Sequence, residues 1–147
     1  MGVRAAYADV SQKLAEITTL DEVIGLLQWD QEVVMPRGAV GSRGRQSGVL
    51  AVLRHERATD KALGEQLEAL QDSPELSAVE SANVREALRD WRREARLPAD
   101  LVRRWGEATV QAHEVWVDAR ANDDFGRFAP ALEELVALAK ARAAAID

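Results

Sequence analysis

The chain has 147 residues, 25 acidic against 19 basic, no cysteine and a formal net charge of −6. That length suits a single domain over residues 1–147, able to bury about 68–70% of its unfolded surface without a disulfide or metal staple. The composition excludes disulfide scaffolds, thiol catalysis and cysteine-based zinc sites, and it argues against a nucleic-acid or anionic-lipid surface. No stretch approaches the apolar length of a membrane span, and MGVRAAYADV lacks a signal-peptide core, so the expectation is a cytoplasmic protein.

Alanine (26) and leucine (16) dominate, while glycine (9) and proline (4) are sparse. No segment alternates apolar and polar residues for long, so the pattern predicts an all-α bundle of six or seven helices. The first covers Val3 to Ile17. Thr19-Leu20-Asp21-Glu22 reads as a capping box opening a second, or as a bend in a continuing first. Met35-Pro36 ends that piece, because proline removes a donor and disfavours helix at the residue before it. A third spans Ser42 to Arg57, and Thr59 or Asp60 caps a fourth that ends near Asp72. Ser73-Pro74 is the next stop. A fifth reaches Arg96, Pro98 sits in the first turn of a sixth ending near Asn122, and the last begins at Phe125. Leu101, Trp105, Ala108, Ala112, Val115 and Ala119 form one core-facing stripe, and Phe125, Phe128, Leu132, Leu135 and Ala139 another. A short turn at Ala121–Asp124 then sets the last two helices antiparallel.

Candidate chemistry is thin. Both histidines precede a glutamate, in His55-Glu56 and His113-Glu114. A zinc-hydrolase HExxH helix needs a second histidine four residues after the first, and Thr59 and Val117 stand there instead. A composite site of His55, Glu56, His113 and Glu114 from two packed helices is open geometrically. The plainer reading is a half-exposed histidine hydrogen-bonded at a helix end or between helices. Asp123-Asp124 and Glu133-Glu134 sit where first turns of helices favour negative charge. Serine-nucleophile, phosphate-loop and dinucleotide patterns are absent, and Gly38, Gly41 and Gly44 read as loop and helix-entry glycines. On the fifth helix Val84, Leu88, Trp91 and Ala95 share a narrow sector, beside Arg85, Arg89, Arg92, Arg93 and Arg96. That arginine stripe is either a docking surface for an acidic partner or a solvated face of intrahelical pairs such as Glu86–Arg89.

Leu26-Leu27-Gln28-Trp29-Asp30-Gln31-Glu32, followed by Met35-Pro36, Gly38-Ala39, Arg43 and Gln46, resembles the N-terminal signature of the carboxypeptidase Taq family. Leu50, Leu53, His55-Glu56 and Thr59 continue the likeness, as do Val84-Arg85, Leu97-Pro98 and Leu101-Val102. Trp116-Val117-Asp118-Ala119-Arg120, Asn122-Asp123-Asp124-Phe125, Phe128, Pro130 and Leu132 close it in family order. The resemblance implies an almost wholly helical, usually dimeric, usually zinc-dependent enzyme that removes residues one at a time from peptide C-termini. The family's HExxH helix and downstream glutamate lie beyond the matched region.

The resemblance therefore implies a non-catalytic N-terminal helical section, either a piece of the enzyme or a standalone relative, inactive alone. No catalytic, cofactor-binding or metal residue is assigned to this chain, although the family uses zinc. Asp30 is expected to cap or to pair with Arg43 or Arg45, and Trp29 to seal the junction between the second and third helices. The expected partner is a second copy or a full-length relative, with Val33, Val34, Met35, Val110 and Trp116 as candidate contact residues. The alternatives are a small metal hydrolase on the two His-Glu pairs and an acidic adaptor using the arginine stripe.

Overall fold

The Thr19 capping box does not form. In the computed structural model, which describes residues 2–146, one helix, α1, runs unbroken over Val3–Val33. Instead of capping a new helix, the Thr18 and Thr19 hydroxyls donate back to the carbonyls of Leu14 (3.0 Å) and Ala15 (2.9 Å). A threonine can serve the preceding turn in this way when no proline or glycine forces the backbone out of helix. The stop comes at Met35-Pro36, where the Val34 and Met35 amides both reach the Asp30 carbonyl, at 2.9 and 2.8 Å. A 3-10 turn at Arg37–Ala39 leads into α2 (Val40–Ala58), α3 (Lys61–Leu70), α4 (Ala78–Glu94), α5 (Ala99–Ala121) and α6 (Phe125–Ile146). The fold is all-α, with six α-helices among the described residues. None of them is long and apolar enough to cross a membrane.

Two caps organise the N-terminal half. Asp60 accepts the Ala62 amide (3.3 Å) and starts α3. A capping box does exist, at Ser77 and Glu80: the Ser77 amide donates to the Glu80 carboxylate (2.7 Å) and the Glu80 amide to the Ser77 hydroxyl (3.3 Å). Arg4 of α1 then grips Glu80 through one nitrogen, at 2.7 and 2.8 Å, and donates to the Glu75 carbonyl at 2.6 Å, which docks the start of α1 on the start of α4. Beneath this clamp, Val10 and Ile17 of α1 pack with Leu63, Leu67 and Leu70 of α3, Leu76, and Val84 and Leu88 of α4. Ala95, the fourth member of the predicted α4 sector, lies past the end of the helix and is exposed.

The C-terminal half is built on α5, which packs against α2 on one side and α6 on the other. Small residues bring α2 and α5 together. Gly44 and Gly48 are buried inside α2, and a Cβ built on Gly106 would come 3.1 Å from the Ser47 carbonyl and 3.2 Å from the Ala51 methyl. Gly44 lies buried within α2 and is not a loop glycine, whereas Gly38 lies in the 3-10 turn and Gly41 at the entry to α2. The α5–α6 pair is antiparallel. Arg127 meets Asp118 (2.6 Å) near the turn, and Arg142 lies over the Trp105 ring (5.3 Å) at the far end.

Ala108, Ala112 and Ala119 of the α5 stripe are buried as expected. Val102 and Val110 are buried as well, because α5 has packed neighbours on two sides. The α6 stripe is rotated from its expected position. Phe128 and Leu135 face inward, but Leu138 is the buried residue (2% exposed), while Leu132, Ala139 and Phe125 are exposed. Spacings of three and four residues fit both 125-128-132-135-139 and 128-131-135-138-142, and contact with α5 selects the second.

Candidate functional site

The two histidines lie at opposite ends of the α2–α5 crossing. His55 is buried, more so than its sequence context suggests, with Nδ1 3.4 Å from a Glu94 carboxylate oxygen of α4. Its neighbour Arg54 bridges Glu94 (3.0 Å) and Asp21 of α1 (3.1 Å), so one chain of charges ties α1, α2 and α4 together. Burial by itself would lower the Arg54 pKa, but the Asp21 hydrogen bond and the Glu94 charge outweigh it and raise it. His113 instead leans on Trp116, with ring centroids 5.9 Å apart. Gly44 faces Gln111 and Gly48 faces Glu107, so the two helices run antiparallel. His55 thus lies level with the start of α5 and His113 with the start of α2, about 18 Å apart at 1.5 Å of rise per residue.

The composite site of His55, Glu56, His113 and Glu114 is therefore not assembled. Glu114 sits 3.9 Å from Arg37, and no three histidine, aspartate or glutamate side chains converge among the described residues in a way that could hold a metal. These donor residues do not fit the zinc that the family resemblance implies.

Asp30 pairs with Arg43 and not with Arg45. Arg43 Nη2 binds the Asp30 carboxylate, Nη1 donates to the Leu27 carbonyl and Nε donates to Gln46 (3.2 Å), whereas Arg45 reaches only Ser42 (3.1 Å). With Asp30 turned toward α2, Trp29 next to it points outward and is 59% exposed, so it seals no helix junction. Leu26, Trp29 and Val33, three and four residues apart, form an exposed apolar stripe with Val34 beside it. Of the other candidate contact residues, Trp116 is partly exposed and Met35 half-buried. Val110 is buried, and its carbonyl accepts Gln31 Nε2 at 3.1 Å.

The arginine stripe of α4 is largely engaged. Arg89 binds Glu86 (2.8 Å), Arg85 approaches the same carboxylate (3.4 Å), Arg92 reaches Glu68 of α3 (3.5 Å), and Arg96 donates to the Ile146 carbonyl. Exposed pairs of this kind contribute little stability, but they leave less free positive charge for an acidic partner.

One cleft went unnoticed in the sequence. At the α5–α6 turn, Trp116, Phe125 and Phe128 wall a depression of about 310 Å³, whose rim carries Arg120, Asp123 and Asp124. Phe125 and Phe128 meet edge to face at 6.5 Å, and Asp124 caps α6 by accepting the Arg127 amide (3.1 Å). Asp123 has a positive φ of 52°, the left-handed conformation that aspartate tolerates better than most residues. The available signal was the Asp-Asp-Phe sequence at a helix start, but Trp116 joins it only once α5 and α6 fold back on each other.

The family profile described as carboxypeptidase Taq (M32) metallopeptidase matches residues 9–147. Thermostable carboxypeptidase 1 of Thermus thermophilus is 33% identical over 146 residues, covering 97% of this chain and 29% of that protein. The crystal structure of an M32 carboxypeptidase from Deinococcus radiodurans superposes with a TM-score of 0.72 at 33% identity, over 96% of this chain and 28% of that one. BsuCP superposes with a TM-score of 0.92 at 20% identity, over 97% of this chain and 29% of its own, and so shares the fold. The chain spans less than a third of the length of these relatives.

Proposed function

The chain belongs to the carboxypeptidase Taq (M32) metallopeptidase family, and from that premise we propose that it supplies the non-catalytic N-terminal helical wall of a metal-dependent enzyme that removes residues from peptide C-termini. In this reading the zinc ligands and the hydrolytic step belong to another section of the enzyme, and this chain acts in the cytoplasm through association. The observation that carries it is the exposed stripe of Leu26, Trp29 and Val33, with Val34 alongside. Four large apolar side chains on one helix end mark a surface that another polypeptide covers. A second copy of the chain, forming a dimer, is the other occupant the stripe allows.

The test combines peptide hydrolysis with association. The purified chain is expected to release no C-terminal residue from a model peptide with zinc present. It is expected to co-migrate with the separately produced remainder of a related carboxypeptidase, or to self-associate in sedimentation equilibrium at micromolar concentration. Leu26→Lys combined with Val33→Glu should abolish either association while keeping helicity. Zinc-dependent hydrolysis by the chain alone, lost on His55→Ala or His113→Ala, would overturn the reading in favour of a small metal hydrolase. A single 16 kDa species that ignores the remainder would remove the role in association.

A further inference from the structure

We propose that the cleft at the α5–α6 turn receives the cationic side chain, arginine or lysine, of a basic segment on another polypeptide. This inference does not depend on the carboxypeptidase reading. Trp116 of α5 and Phe125 and Phe128 of α6 supply the walls. Aromatic faces carry the negative end of the ring quadrupole, so a guanidinium or ammonium set against them is attracted, and more so with carboxylates nearby. Asp123 and Asp124 also line the cleft, against a single positive charge, Arg120. Asp124 has one carboxylate oxygen on the Arg127 amide, and among the described residues Asp123 makes no ion pair. Arg127, the other cation nearby, is held by Asp118 at 2.6 Å. A volume of about 310 Å³ is small for a ligand pocket but ample for one long side chain. The chain already uses this chemistry elsewhere, where Arg142 lies 5.3 Å from the centre of the Trp105 ring.

The charges choose among occupants. A purely apolar side chain would bring desolvation of two carboxylates with nothing to offset it. A basic segment avoids that cost, because its cation is attracted by the same carboxylates and ring faces.

The probe is the peptide acetyl-Gly-Arg-Gly-amide, with acetyl-Gly-norleucine-Gly-amide as its uncharged counterpart. Each is titrated into the full chain while the tryptophan indole N–H resonances are followed by NMR, with Trp116→Leu assigning the Trp116 signal. The arginine peptide is expected to shift that signal saturably in the millimolar range. The norleucine peptide should bind at least about fivefold more weakly, as expected for a site in which the cation supplies the attraction. Raising the salt should weaken arginine binding, Asp123→Asn should weaken it severalfold, and Arg120→Ala should tighten it. Equal binding of the norleucine peptide would show a plain apolar docking site and overturn the proposal. No shift up to about 10 mM arginine peptide would also overturn it, since single-side-chain recognition should be visible by then. If Asp123→Asn disturbs the turn, Arg120→Ala decides alone: this exposed helical substitution keeps the fold, and unchanged affinity would refute the electrostatic argument.

Discussion

Gly64 of α3 lies directly beneath the indole of Trp91 on α4: a Cβ built on Gly64 would stand 2.3 Å from the ring, closer than any real contact. The indole N–H is anchored at the same place, donating to the Asp60 carbonyl at 3.0 Å, so the ring cannot slide away freely. Gly64→Ala should destabilise the chain by about 1–3 kcal/mol through overpacking, despite the better helix propensity of alanine. Gly25, inside α1 with nothing within 4 Å of its would-be Cβ, is the control. Gly25→Ala should stabilise by about 0.5–1 kcal/mol. Urea denaturation should show the two midpoints moving in opposite directions.

The Ser77–Glu80 box should leave a signature in acid. Hydrogen bonds from the Ser77 amide and hydroxyl, with Arg4 adding to them, hold the Glu80 carboxyl down from 4.5 to about 2. A carboxyl depressed in the folded state contributes stability that is fully present above the unfolded value and is lost as pH falls through the folded one. The stability difference between the native chain and Glu80→Gln should therefore hold steady above pH 4.5 and shrink as the pH falls toward about 2. Denaturation midpoints of both proteins across that window check the sign. A difference that grows on acidification would contradict the box.

Leu138 and Leu132 separate the two possible rotations of α6. Leu138 is 2% exposed and Leu132 36%. Leu138→Ala should cost about 2–5 kcal/mol, as for a buried leucine. Leu132→Ala should cost about 1 kcal/mol or less in the isolated chain. Thermal melts of the two variants should differ widely, and a reversed order, with Leu132→Ala the costlier, would mean that α6 sits in the other rotation.

Asp30 and Arg43 form the polar seam between α1 and α2. The Arg43 side chain is only 11% exposed, so removing its carboxylate partner leaves a poorly hydrated charge. Asp30→Ala should cost about 1.5–3 kcal/mol, the range for a hydrogen bond to a charged group. Asp30→Asn, which keeps an acceptor, should lose less. Because Arg43 is shielded from solvent while Asp30 is partly exposed, most of the difference should persist at high salt, which equilibrium unfolding at two ionic strengths can check.

Sequence alone determined the features that follow from neighbouring residues. The all-helical class comes from composition and period. The stops near Pro36, Pro74 and Pro98 follow from backbone donors and dihedrals, and the antiparallel turn before Phe125 from the brevity of the link. The pairing of Asp30 with Arg43 was legible as one of two options, because both arginines lie just across the same break. What tertiary structure decided is whatever depends on which face of a helix meets a neighbour. Thr19 and Ser77 head similar four-residue patterns, but only Ser77 lies where the chain has already left helix and where Arg4 reaches its Glu80. Trp29 points outward because Ile24, Leu27, Asp30 and Gln31 take the inward face of α1. Gly48 serves a helix crossing because Gly106 stands opposite, with Gly44 set against Glu107 and Gln111, and the antiparallel direction of that crossing separates His55 from His113. A three-four spacing fits two rotations of the same helix equally well, so the choice between Leu132 and Leu138 rests on where α5 lies, which no local pattern encodes.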